Sequence, residues 1–175
     1  MGLVWHTAVS ANYCMFGFHD PTCEESENLA TAISAASRAV VGWAANAVMV
    51  DVVTDLVGID VRIEVFDEAP AADDSADLLR DGQIEVPGGL ISVLYSVDDM
   101  FQRGVDLPAG PGTYGVQVCG YGRTRARQLQ EKGVEPGGAG DADAIVAALP
   151  GVEHYRICLW QVSPEPYWEY DDEDE

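Results

Sequence analysis

Hydrophobic and polar residues alternate with period two along much of this chain. Ile59, Val61, Ile63 and Val65 fall on one side of an extended segment and Asp60, Arg62 and Glu64 on the other, which predicts a strand with one face in a core and one in water. From Thr7 to Phe18 both alternating sets are largely apolar, which predicts a first strand buried on both sides. His19-Asp20-Pro21 ends it, and Thr22-Cys23-Glu24-Glu25 has the form of a capping box. Leu29, Ile33, Ala36 and Val40 then recur at helical spacing, predicting a short amphipathic helix over Cys23 to Ala39 with acids in its first turn, where the helix dipole favours them.

Ala47 to Thr54 is rich in β-branched residues and reads as a strand, with a turn over Asp55 to Gly58 before the strand Ile59 to Phe66. Asp67 to Asp77, with Pro70, alanines and acids, reads as a flexible acidic loop. Further strands are predicted over Gln83–Val86, Leu90–Val97, Thr113–Tyr121 and Tyr155–Val162, punctuated by Pro87-Gly88-Gly89 and by the turn Val105 to Gly112. Gly122 to Asp143 reads as a second loop holding Arg123, Arg125, Arg127 and Lys132, followed by one or two helical turns over Asp141 to Leu149. With about seven strands separated by turn signals, the expected fold is mainly β: an antiparallel β-sandwich with one short helix inserted after the first strand. The expected organisation is one sandwich domain over residues 1–163 and an acidic, aromatic C-terminal tail over 164–175.

Charge changes this picture most. The chain has 30 Asp and Glu against 9 Lys and Arg, a net charge of -21 in 175 residues. Removing the seven acids of the last eleven residues leaves 23 acids against 9 bases, or -14, so the body is acidic as well. A field of this sign repels nucleic acid and anionic membrane and attracts basic partners, among them nucleases, whose clefts are positive because they hold phosphates. No direct nucleic-acid or membrane partner is therefore expected. No run of eighteen apolar residues predicts a transmembrane helix, and the N-terminus lacks the basic start of a secretory signal, so the expected location is cytoplasmic. In that compartment Cys14, Cys23, Cys119 and Cys158 are expected to be reduced.

The runs Asp81-Gly82-Gln83-Ile84-Glu85-Val86-Pro87, Ile91-Ser92-Val93, Val105-Asp106-Leu107-Pro108-Ala109-Gly110, Tyr114-Gly115-Val116-Gln117-Val118-Cys119 and Tyr155-Arg156-Ile157-Cys158-Leu159-Trp160 resemble the competence protein J family. Tyr13-Cys14-Met15-Phe16-Gly17-Phe18 looks like that family's first strand. The resemblance is one of strand and turn pattern over most of the chain. It implies a small β-rich inhibitor of a DNA-entry nuclease, with no catalytic residues to carry over. The helix near Leu29, the arginine loop and the acidic tail depart from the pattern.

Catalytic motifs find no match: there is no GxSxG, HExxH, P-loop or GxGxxG. His19, Asp20, Cys14 and Cys23 lie close in sequence, but no second ligand pair completes a zinc site, so neither a metal nor another cofactor is expected. Cys119 and Cys158 fall in strands and read as buried small hydrophobes, or as a disulfide if their strands adjoin. The arginine cluster reads as an anchor that neutralises nearby acids, or as a phosphate site.

The tail carries the candidate binding residues, Tyr167, Trp168, Tyr170, Asp171, Asp172, Glu173, Asp174 and Glu175: aromatic anchors joined to five consecutive acids. The plain alternative is a solubilising tail. The leading expectation is a non-enzymatic inhibitor or immunity-type protein that binds a basic toxin or nuclease. The alternatives are a small-molecule or carbohydrate-binding sandwich and a phage-type structural or assembly protein.

Overall fold

In the computed structural model, which describes residues 4–23, 25–55, 57–94, 103–134 and 142–164, ten strands form two facing five-stranded sheets. The strands are β1 (Val4–Ser10), β2 (Met15–His19), β3 (Val41–Trp43), β4 (Ala47–Asp51), β5 (Gly58–Phe66), β6 (Leu78–Val86), β7 (Leu90–Leu94), β8 (Arg103–Asp106), β9 (Gly112–Tyr121) and β10 (His154–Pro164). The first sheet has the order β1-β5-β10-β9-β6 and the second β3-β4-β2-β7-β8. The β-sandwich expected from the alternation is present, with ten strands rather than about seven.

The core lies between the sheets and follows the alternation. Ile59, Val61, Ile63 and Val65 of β5 face inward with Tyr114, Val116 and Val118 of β9 and Tyr155, Ile157 and Leu159 of β10. Phe16, Phe18, Val48, Val50, Ile91 and Val93 meet them from the second sheet. Phe16 packs edge-on to the Tyr155 ring at 5.0 Å.

The stretch Thr7 to Phe18 is not one strand. β1 belongs to the first sheet and β2 to the second, and a 3-10 turn over Asn12–Cys14 carries the chain between them. The two-sided apolarity belongs to β2, where Phe16 and Phe18 meet the core between the sheets and Met15 packs against the outer cluster of Ala32, Ala36, Ala47 and Met49. Tyr13 and Cys14 in the turn have left-handed backbones, φ 56° and 55°, each costing about 1–2 kcal/mol in a residue with a Cβ. The sheet is not wholly antiparallel either. β10 pairs with β9 antiparallel but with β5 parallel, Ile157 opposite Ile63. The connection after β9 returns the chain to the end at which β5 also begins.

Helix α1 (Glu25–Ala39) covers the outer face of the second sheet, Ala32 and Ala36 packing on Ala47 and Met49. A Cβ on Gly42 would stand 1.9 Å from the Ala32 carbonyl, so the helix backbone rests directly on β3. The Thr22 amide and hydroxyl both donate to Asp20 Oδ1, at 2.8 and 2.6 Å, and hold the turn before the helix; the capping-box side chains expected at Glu24 and Glu25 lie outside those described. Asp20 Oδ2 accepts from the Gly88 amide at 2.6 Å and ties the β6–β7 turn to the end of β2.

The segment after Gly122 corrects the expected arginine loop. Residues Arg123–Val134 form helix α2, and Ala142–Ala148 a short helix α3. Gly122 has φ 71°, and a Cβ there would meet the Val152 carbonyl at 1.8 Å, so only glycine allows the turn from β9 into α2.

Candidate protein-binding face

Two polar assemblies position the exposed surface of the first sheet. The first is buried at the end of the sandwich where β10 starts. Glu153, 1% exposed, accepts from the amides of Val53 and Thr54, the Thr54 hydroxyl, the Tyr155 hydroxyl at 2.6 Å and the Arg123 guanidinium at 3.0 Å. Arg123 also donates to the Asp51 carbonyl at 2.8 Å and to the Tyr155 hydroxyl. Burial, with the Glu153 charge beside it, holds the Tyr155 hydroxyl far above the usual phenol range, so it stays protonated and donates. This network joins β4, α2 and β10, that is, both sheets and the helix. Arg123 is therefore structural, whereas Arg125, Arg127 and Lys132 are exposed along α2, and the sequence-adjacent arginines do not form one site.

The second assembly is on the outer face of the first sheet. Glu64 is 3% exposed although its position in β5 alternates outward. It is held by Arg62 at 2.5 Å and by two nitrogens of Arg156 at 2.8 and 2.7 Å, a buried carboxylate answered by two cations. Arg156 lies over the Phe66 ring.

Residues 67–77 cross this face. β5 ends with Phe66 at the level of Trp160, Gly115 and Gln83, while β6 starts with Leu78 at the level of Gly120, Tyr155 and Val61. The connection must run back over β10 and β9. Asp73 clasps it there: its Oδ2 accepts from the Tyr121 hydroxyl at 2.7 Å, and its Oδ1 accepts from the Ser75 hydroxyl at 2.5 Å and the Ser75 amide at 2.9 Å. The Ser75 hydroxyl first and Tyr121 second hold the Asp73 carboxyl down to about 2. Tyr121 in turn stacks on His154 at 5.0 Å.

The crossover exposes Asp67, Glu68, Asp74 and Asp77, and β6 continues the ridge with exposed Asp81 and Glu85. Asp73 and Asp81 both raise the pKa of buried Cys119 through their charge, though burial itself raises it most; loop and strand thus bring carboxylates to the same place. Arg80 is exposed but pairs with inward-facing Val118, so it alternates to the other side of β6 from Asp81, and it donates to its neighbour's carbonyl. The result is an anionic face fixed to a sheet rather than a free acidic loop.

The remaining candidates from the sequence fall out differently. Cys14 precedes β2 and His19 ends it, and the Asp20 oxygens are committed to Thr22 and Gly88; no cluster of His, Cys, Asp or Glu able to hold a metal is found among the described residues. Cys119 lies opposite Arg156 and Cys158 opposite Gln117, so the two are not direct cross-strand partners, and no disulfide joins any of the four cysteines. Burial pushes the Cys158 thiol up to about 12 and raises Cys14 and Cys119, which leaves them protonated and poorly nucleophilic at neutral pH. An open cleft of about 310 Å³ is lined by His6, Asp60, Arg62 and His154, but the first two side chains are 66% and 55% exposed, so it encloses little of a small ligand. Tyr167, Trp168, Tyr170 and Asp171 to Glu175 lie outside the described residues.

The sequence singled out the tail and did not name Asp73, Tyr121 or the β6 acids. An Asp two residues before a Ser was the available sign of a fixed turn in the acidic loop. No helix among the described residues is long and apolar enough to cross a membrane.

No protein-family model and no curated protein matches the sequence. Among solved structures, the chain is similar to the product of crocagin biosynthetic gene J, with 20% identity and a TM-score of 0.58 over 92% of this chain and 98% of that one. It is also similar to ComJ of Bacillus subtilis, an inhibitor of the DNA-degrading activity of NucA, with 17% identity and a TM-score of 0.52 over 93% of this chain and 99% of ComJ. At these identities the likeness is one of fold, and it bears out the resemblance in strand and turn pattern.

Proposed function

We propose that this protein is a non-enzymatic inhibitor that binds a basic protein, of the nuclease kind, and covers its phosphate-binding cleft with the acidic crossover and β6. The observation that carries this reading is the fixed anionic ridge Asp67, Glu68, Asp74, Asp77, Asp81 and Glu85 on the outer face of the first sheet. The likeness in fold to an inhibitor of a DNA-degrading enzyme supports it. A cleft built to hold phosphates presents spaced cations, and spaced carboxylates on a rigid sheet meet it without an ordering cost. Attraction between opposite fields makes association fast and salt-sensitive.

The experiment is affinity capture at low salt from the source cell extract, followed by purification of the captured protein and assay of its DNA cleavage with increasing inhibitor. Stoichiometric inhibition that weakens steeply with salt is expected. Replacing Asp74, Asp77, Asp81 and Glu85 by Ser should slow association and flatten the salt dependence. If nothing basic is captured, or the captured protein cleaves no nucleic acid, the reading is wrong.

A further inference from the structure

Three large hydrophobic side chains stand exposed among the described residues, Val4, Tyr13 and Val162, and Tyr13, at 74%, is the only aromatic among them. Its ring makes no hydrogen bond or ring contact with any described residue, so nothing in the packing accounts for it. Yet the backbone beneath it is strained and firmly held. Tyr13 and Cys14 are both left-handed, Ala11 just before them is fully buried, and β1 and β2 fix the turn in two different sheets. The Val52 amide donates to the Cys14 carbonyl at 2.8 Å, and the Cys14 amide donates to Asp55 Oδ1 at 3.3 Å. Strain of this kind persists only where the surroundings over-determine it, and it gathers at functional positions.

The charges at this end are suited to a cation. Asp55 is exposed, and its second oxygen is engaged by no described residue. Asp51 lies half-buried, near enough for its charge to act on Cys14, and burial raises its own carboxyl while Arg123, and more weakly Arg127, oppose this. Strand register puts exposed Asp60 opposite His154, His154 opposite Tyr121, and the Asp73 clasp on Tyr121, all at the same end of the sandwich as the turn after Ser10. The aromatic therefore stands at the end of the sandwich to which the Asp73 clasp also belongs.

We infer that Tyr13 and Asp55 form an anchor for a single arginine or lysine side chain of the basic partner. The cation stacks on the Tyr13 ring while the free oxygen of Asp55 accepts its N–H groups. The acidic ridge sets the approach, and this preformed aromatic sets the lifetime of the complex. The anchor rests on the proposed inhibitor role and locates part of its contact surface.

The test uses the captured and purified partner, with dissociation rates and affinity measured for the wild type, Tyr13→Gly, Tyr13→Phe and Asp55→Asn. Glycine relieves a left-handed backbone, so Tyr13→Gly should melt at or above the wild-type temperature and yet bind at least tenfold more weakly. That loss should come from faster dissociation with an unchanged salt slope. Tyr13→Phe keeps the ring and should bind within threefold of wild type. Asp55→Asn should weaken binding most at low salt. If Tyr13→Gly binds like wild type while the Asp74, Asp77, Asp81 and Glu85 replacements weaken binding, the inhibitor reading stands and the anchor is wrong. If no partner is captured at all, both are wrong.

Discussion

Glu153 shows how one residue can decide whether two sheets stay together. A carboxylate with 1% exposure is tolerated because backbone amides, two hydroxyls and a guanidinium all point at it. Removing the cation and leaving the anion buried costs about 3–5 kcal/mol. Arg123→Ala is therefore expected to lower the melting temperature by roughly 10 °C, at about 2–4 °C per kcal/mol for a chain of this size. Arg125→Ala and Arg127→Ala, exposed on the same helix, should each change stability by no more than about 0.5 kcal/mol. Thermal unfolding of the three variants checks this; equal melting of all three would show that the buried network does not hold the fold. The sequence offered three similar arginines, and only the turn at Gly122 settles which of them points inward.

At the level of elements, the sequence was legible wherever one face meets the core and the other meets water. β5 and α1 have that character, and both lie within two residues of where the periodicity places them. It was illegible where tertiary contacts override local pattern. Helix α2 has no apolar stripe to announce it: among its residues whose burial is described, Ala126 is the one buried apolar side chain, and the helix is moored by Arg123 and by Gln130, whose amide donates to the Val53 carbonyl at 2.8 Å. β6 starts at Leu78 rather than Gln83, because Gly82 breaks the alternation to leave room for the Trp43 ring, 2.7 Å from where a Cβ would stand. The acidic crossover has the composition of a flexible loop, and its clasp is hidden in the sequence because Tyr121 lies 48 residues from Asp73. Acid titrates that clasp. The Asp73 carboxyl is depressed to about 2 in the folded protein, below the usual carboxylate value near 3.9, so its contribution is complete above that value and is lost as the pH falls through about 2. Both Ser75→Ala and Tyr121→Phe should move the Asp73 titration upward, Ser75→Ala further because its hydroxyl is the larger cause. Carboxyl-carbon NMR shifts against pH measure it. An Asp73 midpoint unmoved by Tyr121→Phe would mean that the crossover is not tied to the sheet.

At the scale of the whole molecule, the body and the tail divide the charge: the chain carries -21, of which -14 remains without the last eleven residues. The Tyr13 turn and the end of the last described strand are far apart. β10 runs from His154, near the Tyr13 end, to Pro164, where the tail departs; eleven residues at about 3.3 Å each separate these ends by roughly 35 Å. A partner that engages both ends of β10 must lie along the strand, across the acidic crossover. If the tail meets the partner near Pro164, its contacts share no side chains with Tyr13, so their effects on binding free energy should add, and their fold-changes in affinity should multiply. Ending the chain at Pro164 should leave it folded, flatten the salt dependence and weaken binding about tenfold or more, if Trp168 and its neighbouring tyrosines serve as anchors. Trp168→Ala alone should raise the dissociation rate and leave the salt slope nearly unchanged. Combining the truncation with Tyr13→Gly should weaken binding by the product of the two separate losses. A combined loss no greater than the larger of the two would place both groups in one contact and contradict the extended mode. A truncation that alters neither affinity nor rates nor salt slope would assign the tail to solubility and leave the sandwich to bind alone.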